Sequence, residues 1–147
     1  MNKLFLLLTI AGMLFCCSSL TGQTTVNINP VKDNTLYEDA TGSLSNGSGI
    51  HLFVGLTNLN SKRRSLVQFD IASNVPAGAT IVSASLTLTV DQTNSGPNNV
   101  ELHTVSVDWG EGASVASGSG GGGAVAQAND ATWLHNFYNH SLWKNPG

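Results

Sequence analysis

Between Thr80 and Val90 apolar and polar residues alternate without a break. Val82, Ala84, Leu86, Leu88 and Val90 fall on one side, and Ser83, Ser85, Thr87 and Thr89 on the other. A period of two predicts a β-strand with one dry and one wet face. Weaker versions of the pattern predict strands over Thr24–Val31, Ile50–Gly55, Ser65–Ile71 and Val100–Val107. The first is expected to end at Pro30, leaving Asp33–Asp39 as a short extended piece. Thr41–Gly49 and Asp91–Asn99 read as loops, and Val75-Pro-Ala-Gly78 as a type I turn leading into the Thr80 strand. From Ala131 to Trp143 the apolar spacing suits a short helix or a packed loop.

Residues 110–130 form a glycine-rich loop with four consecutive glycines at Gly120–Gly123. Side chains this small cannot hold a fixed conformation by themselves, so the expectation is a long flexible loop. It contains a formal G-x-G-x-x-G from Gly118 to Gly123, but polyglycine matches that pattern trivially. No strand and helix flank it as a dinucleotide site requires.

Composition narrows the class. Charged residues make up 10% of the chain, far below the usual quarter, while 41% are hydrophobic. That excludes highly charged disorder and disfavours a helical bundle, leaving an all-β domain with Ser, Thr and Asn on its outer faces.

The amino terminus reads as a leader. Lys3 precedes an apolar run from Leu4 to Phe15, followed by small and polar residues to Gln23. Residues 1–23 are therefore assigned as a secretory signal peptide, and 24–147 as the domain. The minor alternative is a lipoprotein anchored through Cys16 or Cys17, which lie inside this leader. With conventional cleavage the mature domain has no thiol, which excludes disulfides and cysteine catalysis. Loss of Lys3 from six basic residues leaves five against nine acids, a net charge of −4. The absence of a basic stripe argues against nucleic acid, and no membrane span follows the leader.

Candidate chemistry is sparse. Asp108 and Glu111 bracket Trp109, a pair that could serve glycoside hydrolysis. The preferred reading is a strand end whose acids bind backbone amides while Trp109 packs inward. Clustered loop carboxylates also suit a structural calcium ion, with Asp33, Glu38, Asp39, Asp108 and Glu111 as candidate ligands. His135 and His140 show no metal-protease spacing. No serine sits in a nucleophile elbow. Lys62-Arg63-Arg64 is the one basic cluster, and Arg63 and Arg64 are candidates to clamp the carboxylates of an acidic polysaccharide. Trp133, Tyr138 and Trp143 are candidates to stack on sugar rings, with one or two of them expected in the core instead.

Several runs occur in a suggestive order: Asp33-Asn-Thr-Leu-Tyr37, Asn46–Gly55, Lys62-Arg-Arg-Ser-Leu-Val-Gln-Phe-Asp-Ile71, Pro76-Ala-Gly-Ala-Thr80, Val107-Asp-Trp-Gly-Glu-Gly112 and Ala131-Thr-Trp133. Together they resemble the DNRLRE-domain family, which is close to carbohydrate-binding module family 96. The resemblance implies an antiparallel β-sandwich of jelly-roll type, secreted and attached to other domains of a larger protein. It implies polysaccharide binding, with alginate-like glycans as the ligand class, and supplies no catalytic residues. Family members continue past the Asn-Pro-Gly147 turn, so the domain is expected to be truncated there. The resulting expectation is a non-catalytic carbohydrate-binding or adhesive module of a secreted or cell-surface protein. The alternatives are a structural spacer in a large extracellular protein and, further behind, an accessory fragment of a polysaccharide lyase or hydrolase.

Overall fold

The computed structural model describes residues 22–147; the signal peptide expected over 1–23 lies outside them except for its last two residues, and so do Cys16 and Cys17. The described chain is β-rich, with antiparallel pairing throughout and one short helical turn. The strands are β1 (Pro30–Tyr37), β2 (Leu44–Ser45), β3 (Gly55–Leu56), β4 (Lys62–Phe69), β5 (Ala124–Val125), β6 (His135–Phe137) and β7 (Ser141–Leu142). They form one three-stranded sheet, β1-β4-β3, and two pairs, β2-β5 and β6-β7. The helical turn α1 (Ile71–Asn74) follows β4, and Asp70 caps it by accepting from the Ser73 amide.

The first strand falls later than the sequence pattern predicts. Residues 24–29 join no ladder, and pairing begins at Pro30, the expected end. Proline lacks an N–H but is tolerated at the first position of a strand. The piece from Asp33 instead forms the body of β1, paired from Asp33↔Val67 to Tyr37↔Arg63. Its signal is hidden because Asn34 and Thr35 are polar yet fully buried.

Other boundaries move as well. Of the Ile50–Gly55 expectation only Gly55 pairs, together with Leu56. The β4 strand begins at Lys62 and yields at Phe69 to the Asp70 cap. The following turn is one residue later than expected, with the Ala79 amide donating to the Pro76 carbonyl. Gly78 occupies its third position with φ +82°, the conformation a type II turn demands. Trp133–Trp143 is a β6-β7 hairpin, so the helical alternative is overturned. Asn139 at φ +58° turns that hairpin.

The glycine-rich loop is tied down. Ala126 N–H donates to Ser43, β5 pairs with β2, and Gly120 and Gly123 pack beside Phe53 and Tyr37. The neighbours, rather than the loop's own side chains, fix its path.

The apolar core is small: Leu36, Leu66, Trp109 and Ala131, with Trp133 and Trp143 packed against it. Beside it lies a buried polar layer of Asn34, Thr35, Ser45, Asn46, Ser114, Asp130 and Thr132. Asn34 Nδ2 donates to Ser45 Oγ at 3.0 Å and to the Glu111 carbonyl at 2.8 Å. Its Oδ1 accepts from Asn46 N–H. Asp130 accepts from the Gln127 amide at 2.6 Å and the Ser114 amide at 3.4 Å. Among the described residues every buried side-chain N or O has a partner, so the layer leaves no such group unsatisfied.

The Thr80–Val90 and Val100–Val107 runs differ most from expectation. Neither joins a ladder, and every residue from Pro76 to Asp108 is solvent-exposed. The dry face predicted for Thr80–Val90 is uncovered.

Candidate functional site

Alternation along β4 separates the two candidate arginines. Arg64 lies opposite Leu36 and Arg63 opposite Tyr37, so they project to opposite faces of the sheet. A ligand held by one is not held by the other from the same side.

Arg63 is occupied by its own chain. Its guanidinium carbon lies 4.8 Å from the centroid of the Tyr37 ring. Its Nη1 donates to Ser61 Oγ at 2.7 Å and to the Lys62 carbonyl at 2.9 Å. Nε and Nη2 both reach the Gly121 carbonyl at 3.4 Å. The Tyr37 hydroxyl donates to the neighbouring Gly120 carbonyl at 2.8 Å. Burial pushes the Tyr37 phenol up to about 12 despite the opposing Arg63 charge. Arg63 and Tyr37 thus anchor the glycine-rich loop.

Arg64 is exposed on the other face. Its guanidinium carbon lies 5.4 Å from the centroid of the Trp133 ring. Among the described residues it has no hydrogen-bond or ion-pair partner. Trp133 and Trp143 are half-buried against the apolar core, and Trp143 Nε1 donates to the Thr132 carbonyl at 2.8 Å. The Gly147 amide donates to the Trp133 carbonyl at 2.8 Å and further fixes the platform. The indole therefore holds a charged fork at the surface with its donors free.

Lys32 shares that face, because Lys32↔Gln68, Asn34↔Leu66 and Leu36↔Arg64 are in one register. Its ammonium lies 4.5 Å from the centroid of the Trp109 ring and donates to Asp108 Oδ1 at 2.9 Å. Asp108 neutralises it. Lys32, with help from the Trp109 amide, holds the Asp108 carboxyl below its usual range. Nothing local in the sequence marks Lys32, because its partners Asp108 and Trp109 lie more than seventy residues away.

Of the five acids considered for calcium, Asp39, Glu38 and Asp108 each have separate partners. Asp39 accepts from the Ser43 amide and the Thr41 hydroxyl, which lower its pKa to about 2. The Lys62 amide and ammonium hold Glu38 below its ordinary value. Asp33 and Glu111 do come together, with Glu111 Oε1 accepting from the Asp33 amide at 3.0 Å. Burial, then the Glu111 charge, raises the Asp33 carboxyl. Among the described residues no three His, Cys, Asp or Glu side chains gather into a metal-holding group. Asp108 and Glu111 bind backbone amides at Trp109 and Asp33, with Trp109 buried between them in sequence.

Tyr138 lies apart from Arg64 in its contacts, packed edge-on to His135 with ring centroids 5.3 Å apart. His135 also lines an open cleft of about 510 Å³ with Asn139, His140, Ser141 and Leu142. No helix among the described residues is long and apolar enough to cross a membrane. No family model matches the chain, and searches of curated proteins and of solved structures return no match.

Proposed function

We propose that this chain is a non-catalytic carbohydrate-binding or adhesive module of a secreted or cell-surface protein, with an acidic polysaccharide such as alginate as ligand. The observation that carries the reading is Arg64, an exposed guanidinium seated on Trp133 with no partner among the described residues. A planar fork with free donors matches a carboxylate, and the indole beneath it limits the conformational entropy lost on binding. The resemblance of the Lys62–Ile71 and Pro76–Thr80 runs to the DNRLRE-domain family supports the same ligand class and a jelly-roll sandwich. The role proposed for Trp133 is to position Arg64, while Trp143 braces the core behind it.

Affinity electrophoresis tests the reading. The chain is run in native gels containing alginate, pectin or a neutral glucan. Retardation in the acidic gels alone is expected. Equal mobility in every gel rejects glycan binding, and release of unsaturated or reducing ends would show an enzyme instead.

A further inference from the structure

Asn46 is the one asparagine of the chain that a glycine follows. That dipeptide carries a reaction of its own. Glycine has no Cβ to hinder its backbone nitrogen, so in a free chain Gly47 N can reach the side-chain carbonyl carbon of Asn46. The nitrogen gives its proton to a base in the solvent and bonds to Asn46 Cγ. The Cγ–Nδ2 bond breaks, and ammonia leaves after taking a proton from the solvent. Water then opens the five-membered imide at one of its two carbonyls. One opening leaves aspartate; the other leaves isoaspartate, with an extra methylene in the backbone.

The fold ties up both reacting groups. Asn46 is 3% exposed. Its Oδ1 accepts from the Ala116 amide at 2.8 Å, and its Nδ2 donates to the His51 carbonyl at 3.2 Å. The Gly47 N–H, whose proton must leave, donates to Ser114 Oγ at 3.1 Å. The amides on either side are held too, Asn46 N–H by Asn34 Oδ1 and Ser48 N–H by the Ser114 carbonyl. Ring closure turns the Asn46 side chain back onto Gly47 and so breaks its bonds to Ala116 and His51 together with the Gly47 bond to Ser114.

The products do not fit the place Asn46 leaves. Aspartate sets an oxygen where Nδ2 donates to the His51 carbonyl, so two acceptors face each other in a buried site. Isoaspartate lengthens the backbone beside Gly47, where even an added Cβ would run into the Glu111 carbonyl.

We infer that Asn46-Gly47 is a deamidation site that the native fold keeps shut, so that a chain modified while unfolded loses this fold. The site is separate from the proposed glycan contact, because Arg64 and Trp133 take no part in these bonds.

Peptide mapping of the full chain by mass spectrometry tests this. Folded and urea-unfolded samples are held for equal times at mildly alkaline pH, where Gly47 N gives up its proton more readily. In the unfolded sample Asn46 should be the first asparagine to deamidate. In the folded sample its rate should be at least about tenfold lower, because reaction waits for a local opening. After removal of urea the refolded fraction, relative to a freshly unfolded control, should fall in step with Asn46 modification. Asn46→Asp, made directly, should unfold at lower urea than wild type. Equal Asn46 rates in the two samples overturn the inference. So does modified chain that refolds as fully as the control, or an Asn46→Asp chain as stable as wild type.

Discussion

The guanidinium carbon of Arg64 lies 5.4 Å from the centroid of the Trp133 ring, and the indole is itself braced by the apolar core. The proposed binding surface and the fold meet at this contact. Trp133→Phe keeps an aromatic platform with a weaker quadrupole, so the chain should fold as before. Acidic-glycan affinity should fall roughly two- to fivefold, matching about 0.5–1 kcal/mol of cation–π attraction. A glycan titration of the folded variant measures it, and unchanged affinity would separate Trp133 from Arg64.

The buried amide of Asn34 ties β1 to three other chain segments, at Ser45-Asn46, Glu111 and Ala131. In Asn34→Asp the donor becomes an acceptor facing the carbonyls of Glu111 and Ala131. Leaving buried polar groups unsatisfied costs about 1–3 kcal/mol each, so Asn34→Asp should lose at least that much stability. Urea denaturation gives the value, and a loss under about 0.5 kcal/mol, the level of an ordinary surface change, would contradict the network.

Glycines differ sharply in what surrounds them. A Cβ on Gly47 would lie 1.7 Å from the Glu111 carbonyl oxygen, while one on Gly122 meets nothing within 4 Å. Overpacking against backbone costs typically about 1–3 kcal/mol, so Gly47→Ala should lower the melting temperature clearly. Gly122→Ala should stay within about 0.5 kcal/mol of wild type. Thermal unfolding of the pair decides whether the loop is held by specific close approaches.

Alkaline and acid limits follow from Tyr37 and Asp39. Burial raises the Tyr37 phenol from 10.0 to about 12. The folded state keeps that proton longer than the unfolded chain, so this contribution is complete below about pH 10 and is lost as pH rises toward 12. Asp39, lowered from 3.8 to about 2, acts in the opposite direction. Its contribution is complete above about pH 4 and is lost as pH falls toward 2. Stability-against-pH curves for Tyr37→Phe and Asp39→Asn should flatten in these separate windows. Curves parallel to wild type would reject the assignments.

Some of this structure is legible in the sequence. Trp109 packs inward between two amide-binding acids as its flanking pattern suggests, and β4 lies where Leu66 and its neighbours predict a strand. The middle of β1 is not legible, because the burial of Asn34 and Thr35 depends on partners in distant loops. Arg63 and Arg64 read as one basic cluster, but β4 alternation sends them to different faces and different work. The clearest periodic signal, Thr80–Val90, has no partner strand among the described residues. Periodicity shows which face favours burial but not what covers it.

The most direct test of the binding account compares Arg64→Ala with Arg63→Ala in acidic-polysaccharide gels, at a temperature where both variants are folded. Arg64→Ala should migrate as though no polysaccharide were present, while Arg63→Ala should be retarded like wild type and show its defect in thermal stability instead. Equal retardation of wild type and Arg64→Ala would contradict the account.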